Sequence, residues 1–326
     1  MIHGNYEIVP YHHDHMDQVV KVIKALWGYK RDHRISRLKW KHYENPYSDF
    51  PHAIVALHRG KVVGFRAYSP MKWKVNGKEF KTLTAGDTIV NEKHRMKGLS
   101  VAMGWAANEF LDYKLILNFT SGTTSMPGYV KLGFGKLLEK QYWIRGPSEG
   151  DNQIEGDFDN VSSLKTPDLK KICSFISRED VPDKILPVRS EKYFQWKMAN
   201  PKDNYKFFSY KKNGKETGYV MFSTQPRSQN GYIVDYTIED VESLDNILRY
   251  VIRKKPFNFS MVFNYGVCDK LSQVLKGLEF KKSNMNWHLL IRPVKRDFVK
   301  EDWIIEGVNT RDISNWNMRA ICSDDA

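Results

Sequence analysis

The sequence predicts an α/β protein with two tandem domains, each built from a sheet flanked by helices. Two segments of the chain repeat one another, strand and helix patterns alternate in both halves, and a polar stretch at 146–167 separates the halves. At 326 residues the chain is long enough for two domains of ordinary size. We therefore expect a first domain at 1–145, a second at 146–296, and a tail at 297–326 that packs on the second domain or near the cleft.

The repeat relates residues 37–65 to residues 192–219. In each copy a Trp-Lys pair precedes an Asn-Pro pair and a Gly-Lys turn: Trp40-Lys41, Asn45-Pro46 and Gly60-Lys61 in the first, Trp196-Lys197, Asn200-Pro201 and Gly214-Lys215 in the second. Proline cannot continue a helix and restricts the residue before it, so each copy predicts a helix that ends ahead of the Asn-Pro pair. The residues around the Gly-Lys turn predict a hairpin. A helix and a hairpin in the same order, twice, indicate duplication.

The remaining elements alternate between strands and helices in both halves. In the first half we expect strands at 53–58, 62–68, 82–90 and 115–119, and helices at 98–112 and 126–132. In the second half we expect strands at 206–210, 217–223, 232–236 and 259–263, and helices at 243–253 and 269–275.

The bulk composition is that of a globular protein, with 41% hydrophobic and 13% aromatic residues. The sequence has neither an apolar run of bilayer length nor a signal-peptide pattern at its start, and Cys173, Cys268 and Cys322 lack metal-ligand spacing. We expect reduced thiols and a cytoplasmic location. The net charge of +13 has three interpretations, which are a lysine-rich solvated surface, a phosphorylated substrate, or RNA.

The segment 90–100 (VNEKHRMKGLS) carries the strongest chemical signal. A strand leads into a short turn and a helix begins at once, so backbone N–H groups without helical partners point toward one spot. Gly98 lets a phosphate approach the backbone, and Arg95 and Lys97 add charge. The segment predicts a pyrophosphate cradle, although Gly98 could also serve only to ease the strand-to-helix turn.

Strand, Arg95-x-x-Gly98-x-Ser100 and helix together resemble the acyl-CoA loop of the GNAT acetyltransferase superfamily, with Ser100 where Gly or Ala is usual. Residues 129–134 (YVKLGF) resemble the Tyr-x-x-x-Gly-Phe of that family, and Val62–Phe65 lies where it has a hairpin. The resemblance covers about residues 5–145. It implies two tandem GNAT-like domains, each a mixed, mostly antiparallel sheet flanked by helices, with acetyl-CoA or another acyl-CoA as co-substrate.

The resemblance also implies roles for individual residues. The backbone from Lys97 to Ser100 and the Arg95 side chain would hold the pyrophosphate, and Tyr129 would protonate the departing thiolate. The family often has Asn seven residues before this tyrosine, where this chain has Gly122; Asn118, Ser121 or Ser125 are candidates to replace it. The expected binding set is Thr88, Ile89, Val90, Arg95, Met96, Lys97, Gly98, Leu99, Ser100, Asn118 and Ser125.

The implied mechanism is direct transfer, in which an amine attacks the thioester while a carboxylate or a water-linked base removes its proton. Asp87 is the candidate base because it lies on the strand that leads to the cradle. The alternative is an aspartate that bonds backbone in the Gly86-Asp87 turn. Glu92 is a second candidate.

Two other patterns have a structural and a functional interpretation. His12-His13-Asp14-His15 could bind a metal, but consecutive side chains diverge, so we expect a surface stretch and no metal site. Four tryptophans could line an acceptor pocket or, as spaced aromatics usually do, form core; they are Trp27, Trp40, Trp73 and Trp105. Hydrolase, NTPase and zinc motifs are absent from the sequence.

The second half lacks the cradle. Glu239, Asp240 and Glu242 stand near the expected helix start, where they would repel a pyrophosphate. We interpret this half as a degenerate copy that supplies an interface or one wall of the acceptor cleft.

The resulting expectation is an acyl-CoA-dependent N-acyltransferase that moves an acetyl or short acyl group to a primary amine. A basic chain suits a phosphorylated acceptor such as a nucleotide-linked amino sugar. Two alternatives remain open: an aminoacyl-tRNA-dependent peptidyl transferase of tandem-GNAT type, and a protein that binds acyl-CoA without turnover.

Overall fold

The computed structural model describes residues 1–28, 30–109, 112–179, 181–224, 230–257, 259–264 and 269–323. Cys268 and residues 110–111 of the expected helix at 98–112 lie outside these ranges. Cys173 and Cys322 are free thiols.

Strands make up more of the described chain than helices do. The strands are β1 (Ile2–His3), β2 (Tyr6–Pro10), β3 (His52–His58), β4 (Lys61–Val75), β5 (Lys78–Val90), β6 (Leu115–Gly122), β7 (Gly135–Arg145), β8 (Val161–Leu164), β9 (Leu186–Pro187), β10 (Asn204–Lys212), β11 (Lys215–Thr224), β12 (Asn230–Ile238), β13 (Phe259–Asn264), β14 (Lys281–Pro293), β15 (Ile304–Ile305) and β16 (Val308–Asn309). The helices are α1 (Met16–Val22), α2 (Lys24–Trp27), α3 (Arg31–His42), α4 (Leu99–Trp105), α5 (Met126–Lys131), α6 (Leu169–Ser177), α7 (Glu191–Met198), α8 (Val241–Lys254) and α9 (Asp269–Gly277).

One sheet runs through the whole molecule. Its strand order is β1-β2-β3-β4-β5-β6-β14-β7-β13-β12-β11-β10-β8, with β9 paired to β4. Within the described ranges the parallel pairs of this sheet are β5 with β6 and β12 with β13, and its other strand pairs are antiparallel. The predicted fold class, a mixed and mostly antiparallel α/β arrangement, is confirmed.

The two halves exchange strands at the centre of this sheet. Strand β14, from the end of the second half, lies between β6 and β7 of the first. Strand β7 in turn pairs on its other side with β13. The division of the chain after residue 145 stays a prediction, and it coincides with the end of this exchanged strand.

The repeated segments meet face to face. The indole rings of Trp40 in α3 and Trp196 in α7 stack with centroids 5.0 Å apart. Each indole N–H donates to the other tryptophan's backbone oxygen, at 2.6 Å from Trp40 and 2.7 Å from Trp196. Tyr47 and Tyr193 stack in the same manner, with centroids 5.3 Å apart. The repeat therefore builds a nearly two-fold contact at the middle of the largest apolar core, which draws side chains from both halves and the tail.

Helices cover both faces of the first half's strands. On one face α1, α2 and α3 pack on Phe65 and Ala67 of β4. On the other face α4 packs on Val63, and Met103 reaches Gly64. Side chains of β4 alternate between these faces, so Arg66 lies on the α4 side. This alternation decides which residues face the site.

Three expected elements differ in extent. Strand β4 continues to Val75 and β5 begins at Lys78, because Asn76 and Gly77, with φ of 48° and 77°, form the kind of turn that joins hairpin strands. The expected helix at 98–112 ends at Trp105 and continues as 3₁₀ helix over Ala106–Glu109.

Candidate active site

A cleft of about 1250 Å³ opens beside the ends of β5 and β6. The residues predicted from sequence that line it are Asp87, Thr88, Ile89, Val90, Arg95, Met96, Gly98, Leu99, Ser100, Asn118, Ser125 and Tyr129. Lys97, Glu92 and Ser121 are candidates that lie outside this lining. The Lys97 ammonium lies 5.8 Å from the centre of the Tyr6 ring. The structure thus brings nearly the whole predicted set to one cavity.

The cleft exists because two parallel strands separate. Strand β5 pairs with β6 over Thr82–Thr84, opposite Leu115–Leu117, and no further ladder pairs are present between them in the described ranges. From Ala85 to Val90 the β6-facing edge of β5 is therefore open to the cleft. Such an edge offers backbone N–H and C=O groups to a ligand that carries amide groups of its own.

The cradle lies beyond the open end of β5. Gly98 is the residue before α4 and has φ of 73°, a left-handed conformation that favours glycine. A Cβ there would also lie 3.1 Å from Nε2 of His3. Among the described hydrogen bonds, none uses the backbone N–H groups of Lys97, Gly98, Leu99 or Ser100 as donors. Those groups are available to an anion.

Residues of the N-terminal hairpin contact the cradle. The imidazole of His3 donates from Nε2 to the backbone oxygen of Lys97 at 2.8 Å. Tyr6 Oη lies 3.0 Å from Nδ1 of His94, and the pKa of His94 is lowered by burial and by neighbouring cations. Arg95 donates from Nε to the Val90 oxygen at 3.1 Å, which holds its side chain near the end of β5.

Tyr129 lies on α5, lines the cleft and is buried. Its ring packs edge-on against Phe134, with centroids 5.0 Å apart. The guanidinium of Arg66 lies 5.1 Å from the centre of the Tyr129 ring. Arg66 also lines the cleft, and sequence analysis missed it. Its signal was a charged residue within an otherwise apolar strand (VVGFRAY).

Asp87 occupies a bulge of β5 with φ of 38° and is engaged on the α3 side. Its carboxylate accepts from Trp27 Nε1 at 3.1 Å and lies 2.7 Å from the Lys41 ammonium and 3.3 Å from His42 Nε2. Burial alone would raise the pKa of Asp87, but Lys41 and His42 outweigh burial and hold that pKa well below its usual range.

The polar residues near Gly122 have local partners. Asn118 is buried and accepts from the Thr120 N–H at 2.9 Å, while the hydroxyls of Ser121 and Ser125 lie 3.3 Å apart. A Cβ at Gly122 would lie 3.9 Å from Nε1 of Trp287, a residue of the exchanged strand β14 that also lines the cleft. An aromatic side chain from the second half therefore stands beside the position where the family often has Asn.

The second half and the tail form part of the cleft wall. Lys202, Ser223, Tyr232 and Val234 line it from the second half, and Ala320 and Ser323 from the tail. In the second half, the helix start that corresponds to the cradle is that of α8. There the Asp240 side chain accepts from the Ser243 N–H at 2.8 Å and caps the helix, so a carboxylate occupies the place of an anion.

The structure also shows where the tryptophans and the histidine-rich stretch lie. Trp40 and Trp73 are core, and Trp27 belongs to a second core cluster and also lines the cleft. His12 and His15 cap a 3₁₀ helix at the surface, where Nδ1 of His12 lies 3.1 Å from the Asp14 carboxylate. Within the described residues, no helix has both the length and the apolar composition needed to cross a bilayer.

We compared the chain with protein-family models and with curated protein sequences. The family model of the GNAT acetyltransferase domain matches residues 7–136. Among curated protein sequences, none matches the chain significantly.

Solved structures match across both halves. A probable N-acyltransferase from Enterococcus faecalis is 12% identical with a TM-score of 0.69, over 91% of this chain and 74% of the other. A GCN5-related N-acetyltransferase from Anabaena variabilis is 12% identical with a TM-score of 0.66, over 89% and 73%. The Saccharomyces cerevisiae N-myristoyltransferase, solved with myristoyl-CoA, is 12% identical with a TM-score of 0.58, over 89% and 80%. At such identity the likeness concerns the fold alone.

Proposed function

We propose that the chain is an acyl-CoA-dependent N-acyltransferase that moves an acetyl or short acyl group to a primary amine. The match of residues 7–136 to the family model of the GNAT acetyltransferase domain supports this proposal. The observation that carries this proposal is the open edge of β5 beyond Thr84, which lines the same cleft as Tyr129 and Gly98.

The residues of this cleft fit the parts of acyl-CoA in order. The free N–H groups from Lys97 to Ser100 suit the pyrophosphate, and Arg95 adds charge beside it. The open backbone of Thr88–Val90 suits the amides of the pantetheine arm. The thioester would then lie between the bulge at Asp87 and the Tyr129 ring.

The proposed chemistry is a single displacement. The amine nitrogen attacks the thioester carbon, the C–S bond breaks with its electron pair on sulfur, and the Tyr129 hydroxyl gives its proton to that sulfur. The proton lost by the amine goes to a carboxylate or through water. Because the Asp87 carboxylate is paired with Lys41, it can accept that proton only if the acceptor or a water displaces the ammonium.

We propose that the acceptor enters from the α3 side, between Trp27, Arg37 and the second-half residue Lys202. All three side chains line the cleft, and the Arg37 guanidinium lies 4.6 Å from the centre of the Trp27 ring. Two cations and an indole suit an amine that also carries a phosphate or carboxylate, as a nucleotide-linked amino sugar does. A screen of candidate amines for release of the coenzyme A thiol would identify the acceptor.

Calorimetric titration of acetyl-CoA into the protein tests the proposal directly. We expect micromolar binding to the parent chain and none to the double variant Arg95→Glu, Gly98→Asp. Lys254→Glu, Gly277→Asp makes the same charge change on exposed residues of the second half and should bind normally. Failure of the parent chain to bind acetyl-CoA and longer acyl-CoAs would show the proposal to be wrong.

A further inference from the structure

Two buried arginines near the cleft form no ion pair with a carboxylate in the described part of the chain. Arg66 on β4 is 2% exposed and Arg292 on β14 is 0% exposed. Nη2 of Arg66 and all three guanidinium nitrogens of Arg292 have no hydrogen-bond partner in the described part of the chain. An unpaired buried charge is costly, so its retention calls for a physical explanation.

The two guanidinium groups have different surroundings. Arg66 donates from Nε to the Tyr68 hydroxyl at 2.7 Å and from Nη1 to the Ser100 oxygen at 3.4 Å. Arg292 packs on two rings, 5.2 Å from the centre of Trp105 and 5.4 Å from that of Phe134. Arg66 lines the cleft and Arg292 does not.

The position of Arg66 is set by register. Phe65 pairs with Ile89 and Ala67 with Gly86, so Arg66 stands opposite the bulge where β5 departs from β6. On the same side of the sheet its guanidinium reaches the Tyr129 ring. The groups that face Arg66 from the elements packed against it are Tyr68, Ser100, Tyr129 and Arg292. Asp87 faces the other side, toward Lys41.

We propose that Arg66 stabilises the negative charge that develops on the coenzyme A sulfur, with its unpartnered Nη2 directed at the thiolate while Tyr129 supplies the proton. This inference rests on the proposed acyltransferase function and goes beyond it, since it adds a cation to the leaving-group site. The sulfur takes the electron pair of the broken C–S bond, and Arg66 gives up no proton.

A fixed cation at this point favours the transition state over the ground state. The thioester is neutral and gains little from Arg66, whereas the departing thiolate is charged and would lie beside a buried guanidinium. Arg66 keeps its own charge there, because coupling to Tyr68 and Tyr129 outweighs the burial that would lower its pKa. Arg292 adds a second positive charge that interacts with Tyr68, and it does not line the cleft.

The test is titration of the thiol of bound coenzyme A. The thiolate absorbs in the ultraviolet, and desulfo-coenzyme A, which lacks the sulfur, provides the tyrosine background for subtraction. In the parent chain we expect the pKa of the bound thiol to lie below that of free coenzyme A titrated under the same conditions. In Arg66→Met that pKa should rise by about one unit, a tenfold loss of thiolate, and Arg66→Lys should recover part of the shift.

Arg292→Met is the matched control, since it removes the other buried guanidinium and should move the bound thiol by less than half as much. If Arg66→Met does not melt cooperatively, Arg66→Gln replaces it. The inference is wrong if the thiol titrates alike in parent and Arg66 variants, or if Arg292→Met shifts it equally. Absence of coenzyme A binding to the parent would instead overturn the acyltransferase proposal.

Discussion

Asp87 shows how contacts decide the chemistry of a residue. Its carboxylate is buried against Lys41, so Asp87→Asn would leave that buried ammonium without its anionic partner. We expect a loss of about 3–5 kcal/mol in the free energy of unfolding, measured by urea denaturation. The double variant Lys41→Met, Asp87→Asn should lose less, because it removes both charges together. A larger loss in the double variant would contradict the ion-pair interpretation.

The same double variant tests the catalytic hypothesis for Asp87. If Asp87 removes the proton of the amine, thiol release from acetyl-CoA stays abolished even where stability recovers. If the residue acts through its ion pair, thiol release returns with stability.

The pH dependence of stability has a definite sign at Asp87. Its folded pKa is depressed, so its stabilising contribution is complete above the unfolded pKa of ~3.9 and is lost progressively as pH falls toward the folded pKa. We expect the parent chain to lose stability on acidification below this value more steeply than the Lys41→Met, Asp87→Asn variant. Melting temperatures across an acid series measure the difference, and identical slopes would contradict the prediction.

We expect the buried charge of Arg292 to lower the free energy of unfolding. Burial lowers its pKa from 12.5 to about 10, so its charge costs about 3 kcal/mol, while stacking on two rings returns at most about 2 kcal/mol. Arg292→Met keeps the volume and removes the charge. We expect the free energy of unfolding to rise by about 1–3 kcal/mol in urea denaturation. A loss of stability would mean that an acceptor outside the described residues pairs with the guanidinium.

At the scale of elements, Gly104 sets the distance between α4, which carries the cradle, and α5, which carries Tyr129. A Cβ at Gly104 would lie 2.5 Å from Cδ1 of Leu132, which is 1% exposed. We expect Gly104→Ala to cost about 1–3 kcal/mol through overpacking and to weaken acyl-CoA transfer by displacing Tyr129.

Its partner variant makes this test specific. Leu132→Val shortens the opposing side chain, so Gly104→Ala, Leu132→Val should recover melting temperature and thiol release relative to Gly104→Ala alone. Absence of recovery would mean that the helix spacing is not set by this contact.

The elements that sequence predicted well are those fixed by local patterns. Alternation and the Asn-Pro stops predict where strands and helices lie, although β4 continues to Val75 and α4 ends at Trp105. The order of strand, glycine-containing turn and helix predicts the cradle. The pairing of β14 with β6 could not be predicted from sequence. Both β7 and β14 are plausible neighbours of β6, and long-range contacts decide between them. Arg66 and the Lys41–Asp87 pair were missed for the same reason: their partners are distant in sequence.

At the scale of the whole molecule, the exchanged strands and the shared core make each half depend on the other. A fragment of residues 1–145 lacks β14, which leaves the outer edge of β6 and both edges of β7 without partners. It also lacks Trp196 and Tyr193, which cover Trp40 and Tyr47 in the core. Unpaired edges and uncovered aromatic rings favour aggregation over folding.

We therefore expect the fragments 1–145 and 146–326 to fold only together. Alone, the fragment of residues 1–145 should melt without a cooperative transition and should not bind acetyl-CoA in calorimetry. Refolded with 146–326 it should regain both properties, because β14 then completes the sheet between β6 and β7. A partner fragment carrying Trp196→Ala should restore them less well, since the reciprocal indole contact is lost. Cooperative melting of 1–145 by itself would instead mean that the sheet closes without the exchange and that the first half is an independent unit.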